Sequence, residues 1–254
     1  MDAVARRFTW LFAKSQLKLK YRYTSLGFLW NFMEPAIYLS VLSLIFSVIN
    51  RMAINDYAVF LFGALVPWRY FEKAVNTCMD SIVGGEWLLK KMPVSPFVFP
   101  VTRWIVASFE FLFSLIVVFA LFAFIKEEWT IHLIVIPLSI IPWAFLGLGV
   151  GLICAVAFTF FRDIRPIVQM GLMLIFFSSP ILFRADLFEA HSLQSLILRW
   201  NPVTHFASLF QEPIYHAAWP NRLSWTIAFA VGAATLALGW ALVHRYRGRF
   251  YFYL

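Results

Sequence analysis

The sequence predicts an all-α integral membrane protein, and three observations carry that reading. Hydrophobic residues make up 62% of the 254 positions and charged residues 13%, with a mean hydropathy of +0.78; a soluble domain carries roughly 25% charged and 45–50% apolar residues. The apolar residues fall into six runs near the length a bilayer requires, about 20 residues at 1.5 Å rise each. Lysine and arginine are distributed unevenly around those runs, as topology-setting cations are. No hydrophilic stretch is long enough to fold by itself, so residues 1–254 form a single transmembrane domain.

Residues 2–23 repeat apolar positions at helical spacing. At 100° per residue Val4, Phe8, Leu11, Phe12, Ser15 and Leu19 share one face, and Arg6, Arg7, Lys14 and Lys18 cluster on another. Such a helix lies in the headgroup plane with its cations toward phosphates, or acts as a basic leader that sets topology. The mixture of basic and apolar positions lacks the compact apolar core of a cleavable signal peptide. Thr24-Ser25-Leu26-Gly27 breaks the pattern, and Gly27 permits a sharp turn, so residues 1–27 are expected to form an amphipathic interface helix.

The first span is predicted at 28–49, with Glu34-Pro35 near its start, and residues 50–56 form a polar turn. The second, 57–83, carries Pro67-Trp68-Arg69-Tyr70-Phe71-Glu72-Lys73 within it. Each central charge costs about 2.5–3.5 kcal/mol on insertion scales, so these groups should face protein or water, or the span should be shorter. Glu72 stands three residues after Arg69 and Lys73 four, which suits pairing within the helix. Residues 84–103 follow as a structured loop, with two glycines, three prolines and a short helix near Glu86 to Met92. The third span, 104–125, holds Glu110 as its one charge, and Lys126-Glu127-Glu128 is the next turn. The fourth, 131–160, contains Gly147 and Gly151 at small-xxx-small spacing, where another helix can approach closely.

Residues 161–206 organise the rest. Arg162-Asp163-Ile164-Arg165 is a charged turn, and the uncharged run 166–183 is only just long enough for a fifth span. Ser178-Ser179-Pro180 interrupts it, after which Arg184, Asp186, Glu189 and Arg199 punctuate short apolar pieces. Two readings fit: a re-entrant segment, tolerated at membrane depth only where protein or a watery cavity covers it, or an external loop with an amphipathic helix. The sixth span is 223–243, and the tail carries Arg245, Arg247 and Arg249. With both termini inside, 14 of the 21 Lys and Arg lie on the cytoplasmic side and 5 outside, which favours that orientation.

The net charge of +8 and pI near 9.7 follow from this topology and require no nucleic-acid partner. Cys78 and Cys154 sit inside apolar runs and the five histidines have no ligand spacing, so neither a disulfide framework nor a metal site is expected. No G-x-x-x-x-G-K-[ST], G-x-S-x-G or H-E-x-x-H is present, so no catalytic residue is assigned. Glu34, Glu72, Asp80 and Glu110 are intramembrane acids of the kind that relay protons in ion-coupled carriers. Six spans without an evident internal repeat fit poorly with such carriers. Aromatic residues reach 19%, among them Trp30, Tyr38, Trp68, Tyr70, Phe71, Phe176 and Phe177; such rings pack cores, anchor at headgroups and also stack on sugar faces.

The order of pieces carries a resemblance. A basic amphipathic N-terminal helix, Leu26-Gly27-Phe28-Leu29-Trp30, Lys90-Lys91-Met92-Pro93 in the first inward loop, Phe161-Arg162-Asp163-Ile164, Ser179-Pro180-Ile181 and Asn201-Pro202-Val203-Thr204 together resemble the ABC-2 type permeases that export polysaccharides. The likeness covers essentially the whole chain and is nearest to the membrane subunits of O-antigen exporters, with capsule and teichoic-acid permeases close behind. Met92 stands where such permeases often carry an aromatic residue.

That resemblance implies a type V exporter fold: six transmembrane helices, the interface helix, a coupling helix within 84–100, and external re-entrant gate helices within 179–210. It implies a homodimer in the bacterial cytoplasmic membrane, joined to two copies of a separate ATP-binding subunit that holds ATP and magnesium, so that this chain is no enzyme and carries no cofactor. Glu86, Trp87, Leu88, Lys90 and Lys91 would dock on the ATPase. Arg6, Arg22, Leu26 and Gly27 would form the cytoplasmic mouth for a lipid-linked diphosphate. Tyr38, Trp68, Arg69, Tyr70, Phe71, Phe176 and Phe177 would line the channel, and Ser179, Pro180, Asn201 and Pro202 would form the external gate. Export of a small lipid or drug by the same fold, an ion-coupled carrier and an integral membrane glycosyl-processing enzyme are the alternatives.

Overall fold

The computed structural model describes residues 3–21, 29–92, 94–125, 130–184 and 193–253, and every regular element among them is helical. Arg22, Leu26 and Gly27 of the expected mouth lie outside the described residues.

α3 (Ile54–Met79) is the axle of the bundle. Its side chains are buried on nearly every side, from Tyr57 and Leu61 through Leu65 to Val75 and Met79. A helix apolar on most of its circumference must be packed on most of it, and α3 touches α2 (Trp30–Ile49), α6 (Val98–Ile125), α7 (Ile136–Phe160) and α10 (Pro202–Gln211). By contrast α2 buries only the stripe Leu39, Ser43, Ser47 and Asn50, at helical spacing, and leaves Ile37, Val41, Leu44 and Val48 exposed. Ile54–Met79 and the α2 segment Pro35–Ile49 meet at a bend of 117°, so the chain turns back on itself there. Arg51 takes the left-handed conformation at that corner, with φ 53°.

α7 lies against α3 on one side and α11 (Arg222–Tyr246) on the other, and its glycines decide both approaches. A Cβ on Gly151 would sit 2.8 Å from the Cys78 Cβ of α3, and one on Gly147 would sit 3.3 Å from Ala74. On the opposite face, a Cβ on Gly239 of α11 would lie 2.6 Å from the carbonyl oxygen of Gly149. Only a missing side chain lets the two backbones come so near. The spacing of Gly147 and Gly151 announces the α3 contact; the α11 contact uses Gly149, between them.

Of the six expected crossings, three stand as single helices of sufficient length and apolarity among the described residues, at Val98–Ile116, Ile131–Phe160 and Arg222–Tyr246, or four if the bent pair counts as one span. α6 begins at Val98, six residues before the expected start, because Pro100 falls in its first turn, where a missing N–H costs nothing. α8 (Ile164–Phe177) has 14 residues, about 21 Å of helix against a hydrocarbon core of about 30 Å, and ends where Ser178-Ser179-Pro180 interrupts the apolar run.

α1 (Ala3–Tyr21) lies along α6. It buries Thr9 and Ala13 and half-buries Phe8 and Phe12, while Leu11, Ser15 and Leu19 of the expected apolar face stay exposed. Small residues let α1 sit close to α6, with Trp10 on Phe109 at 5.9 Å and Phe12 on Phe99 at 6.3 Å, while Leu11, Leu19, Arg6, Lys14 and Lys18 point outward. At the same end of the bundle α4 (Ser81–Gly84), α5 (Glu86–Lys91) and α12 (Phe250–Tyr253) close a second apolar cluster around Ile82, Leu89, Phe99 and Phe250. α9 (Leu193–Trp200) and α10 occupy the opposite end. Trp143 of α7 donates to the Phe206 carbonyl of α10 at 3.1 Å and Ser139 to that of Leu209 at 3.0 Å, which seats α10 on the bundle.

Candidate functional site

A cavity of about 330 Å³ opens among α2, α3 and α6. Arg69, Glu72, Lys73 and Asn76 share one face of α3 by their three- and four-residue spacing, and they form its polar side. Leu39, Leu65, Val66, Ala107 and Phe111 form its apolar side. Glu110 projects from α6 into the polar side and is buried. A buried carboxylate is tolerable only with partners, and Glu110 has two: Lys73 of α3 at 2.6 Å, and Lys20 of α1, in contact with its other oxygen. The triad ties three helices to one anion.

Arg69 donates to Glu72 at 3.1 Å, the pairing its sequence spacing suggests, and lies 4.7 Å over the ring of Tyr38. Lys73, expected within that same local network, instead reaches across to α6. Tyr70 hydrogen-bonds Ser108 at 2.8 Å and stacks on Phe111 at 4.5 Å.

The seven residues expected along a channel divide between faces of α3. Tyr38, Arg69 and Tyr70 border the cavity. Trp68 and Phe71 pack elsewhere, on Phe176 at 5.7 Å and Trp143 at 6.1 Å, and Phe177 is exposed beyond Phe176. Trp68, Tyr70 and Phe71 are only 2%, 3% and 4% exposed, so they are packing residues within the single chain.

The short helix expected near Glu86 is α5. Glu86 and Lys90 pair at 2.6 Å along its outer face, Leu88 and Leu89 anchor its inner face, and Trp87 is 61% exposed beside Lys91 and Met92. Beside it, Gln16 of α1 accepts from Arg103 at 3.1 Å. Arg6 is exposed on α1.

At the other end, residues 178–182 have no regular structure, and side chains satisfy their polar groups. Asn201 donates to the Ser179 hydroxyl at 2.8 Å and to the Ser178 carbonyl at 3.2 Å, while its own oxygen caps α10 through Val203 N–H at 3.0 Å. Gln211 donates to the Pro180 carbonyl at 3.0 Å. Tyr57 and Asn50 donate to the Leu182 carbonyl at 2.8 and 3.2 Å. Pro202 occupies the first turn of α10, where its fixed φ suits a helix start. Sequence reasoning placed Ser179, Pro180, Asn201 and Pro202 here but missed Asn50, Tyr57 and Gln211. It also missed Lys20; the isolated charge of Glu110 in an apolar run was the available signal that a cation had to come from elsewhere.

No family model matches the chain. It is 29% identical over 226 residues to the O-antigen export system permease protein RfbA of Myxococcus xanthus, covering 89% of this chain and 86% of that one. A protein of the same name from Klebsiella pneumoniae is 26% identical over 243 residues, covering 92% and 90%. The polysialic acid transport protein KpsM of Escherichia coli is 25% identical over 233 residues, covering 89% and 88%. Over about nine-tenths of its length, the chain is therefore similar to proteins named as O-antigen export permeases and as a polysialic acid transport protein.

Proposed function

We propose that this chain is the permease subunit of an ATP-driven exporter that moves a lipid-linked polysaccharide of O-antigen type across a cytoplasmic membrane. The observation that carries the reading is the alignment with O-antigen export permeases over about nine-tenths of each chain. In this reading α2, α3, α6, α7, α8 and α11 are the six crossings, both termini are cytoplasmic, and α9 and α10 form the external gate. Two copies join two ATP-binding subunits, which hold the ATP and magnesium. ATP binding would draw the ATPases together, and each α5, rigidly seated on Leu88 and Leu89, would pass that motion into α6 and α1. A channel between the two copies would then open. The exposed Trp87, with Lys90 and Lys91, supports α5 as the docking element.

A second glycan class, capsule-type polysaccharide, is favoured by the match to the polysialic acid transport protein. Glu110, engaged by two lysines, is better suited to tie helices together than to carry protons.

The test is co-expression with a candidate ATP-binding subunit, followed by reconstitution. Glycan-dependent ATP hydrolysis and ATP-driven export are expected, and Lys90→Glu combined with Lys91→Glu should abolish both while the permease still folds. Unchanged ATPase association and export in that double variant would refute the docking role. Export driven by an ion gradient without ATP would refute the function.

A further inference from the structure

The cavity among α2, α3 and α6 is ordered by polarity. Along one face of α3 the lining passes from Leu65 and Val66 to Arg69, Glu72, Lys73 and Asn76, and Leu39 and Phe111 add to its apolar part. Within the charged group the acid and the cation are layered: the Glu110 side chain is 5% exposed, the Lys73 side chain 39%. Lys73 pairs with Glu110 at 2.6 Å and keeps part of its side chain exposed, so the cation is the accessible member of the pair and the carboxylate the enclosed one. Lys20 places this opening in depth. It belongs to α1, whose outer surface mixes Arg6, Lys14 and Lys18 with Leu11 and Leu19, the surface of a helix lying in a headgroup plane. Its ion pair with Glu110 therefore puts the charged wall at headgroup level. A volume of about 330 Å³ is at the small end of ligand sites, sufficient for a headgroup and the start of one chain and far too small for a polymer. Trp68, packed on Phe176, and Phe71, packed on Trp68 and Trp143, occupy another face of α3.

We propose that this cavity binds a membrane lipid by its phosphate headgroup, with Lys73 as the main phosphate ligand and the Leu39–Val66–Phe111 wall receiving the first part of the chain. The site rests on reading the chain as a membrane-embedded permease, but not on the identity of what it exports. Two lipids share the required chemistry, an acidic glycerophospholipid and a polyprenyl diphosphate.

The test is native mass spectrometry of the full-length permease, titrated separately with phosphatidylglycerol, a polyprenyl diphosphate and phosphate-free diacylglycerol. At least one of the first two should be retained above the diacylglycerol level, and which of them binds identifies the source. Lys73→Gln should weaken that binding about tenfold, the worth of a charge-assisted hydrogen bond, and Lys73→Arg should restore it. Because Lys20 still neutralises Glu110, Lys73→Gln should fold. Val66→Trp, which fills the apolar wall, should abolish retention. Retention no better than diacylglycerol, or equal retention by the wild type and a folded Lys73→Gln, would overturn the proposal. No ATPase is needed in this measurement, so a negative result here leaves the export reading untouched, and failed export leaves this result standing.

Discussion

The Lys73 ammonium of α3 stands 2.6 Å from the Glu110 carboxylate of α6, and the same carboxylate holds Lys20 of α1. Glu110→Gln removes the common anion and leaves two lysines facing each other. Loss of one partner of a fully buried pair costs about 3–5 kcal/mol; both lysines here are partly solvated, so about 1–3 kcal/mol is expected. The specific consequence is release of α1. Limited trypsin digestion in detergent should cleave within α1 sooner in Glu110→Gln than in the wild type, and equal cleavage rates would show that the triad does not hold the helix.

Asn201 has two separable duties, capping α10 and holding Ser179. Asn201→Asp keeps the capping oxygen and loses the amide donor, whereas Asn201→Ala loses both. The alanine variant should fall below the aspartate variant by about 1 kcal/mol in thermal unfolding, the usual worth of a cap. If the two unfold together, capping contributes nothing measurable.

Gly239→Val should abolish accumulation of folded protein, since its Cβ would already lie 2.6 Å from the Gly149 carbonyl and 2.8 Å from Leu152. Gly171→Val on α8, where nothing stands within 4 Å of a Cβ, is the matched control and should accumulate normally. Fluorescence-detected size exclusion separates the outcomes.

Alanine at Trp68 or Phe71 should lower stability by about 3–5 kcal/mol, the range for large-to-small changes at buried aromatics. Tyr38→Ala, on an exposed ring under Arg69, should change thermal stability little. A Phe71→Ala protein that unfolds at the wild-type temperature would contradict the packing described. On sequence grounds alone, alanine at Trp68, Tyr70 and Phe71 is expected to impair export with assembly intact; their burial redirects that expectation to folding.

The helices were legible because their cause is local. An apolar run declares a membrane-length helix, Asn201-Pro202 declares a helix start, and Gly147 with Gly151 declares a close neighbour. Arg69 and Glu72 likewise pair within one helix, at a spacing visible in the sequence. What stayed hidden needs two elements at once. Nothing near Glu110 names Lys20 as its partner, since that contact depends on how α1 lies along α6. The facing of α3 was hidden as well: Arg69, Glu72, Lys73 and Asn76 mark one face, but apolar residues cover the rest, so nothing in the sequence says which neighbour each of them meets. Thus Tyr70 and Phe71, adjacent in sequence, belong to different surroundings. The face of α1 that meets α6 was hidden for a related reason: Thr9 and Ala13 allow closer approach than the larger apolar residues do, and in a membrane those larger residues lose nothing by facing outward.

α8 buries Leu172 and leaves Ile167, Met170, Met173, Leu174 and Phe177 bare along its length. Its ends are fastened: Arg165 pairs with Asp80 beside α4, and the segment after Phe177 is gripped by Asn201 and Gln211. A rod fixed at two points and smooth between them can exchange whatever lies along its flank, lipid for protein or one neighbour for another, while both bearings stay in place.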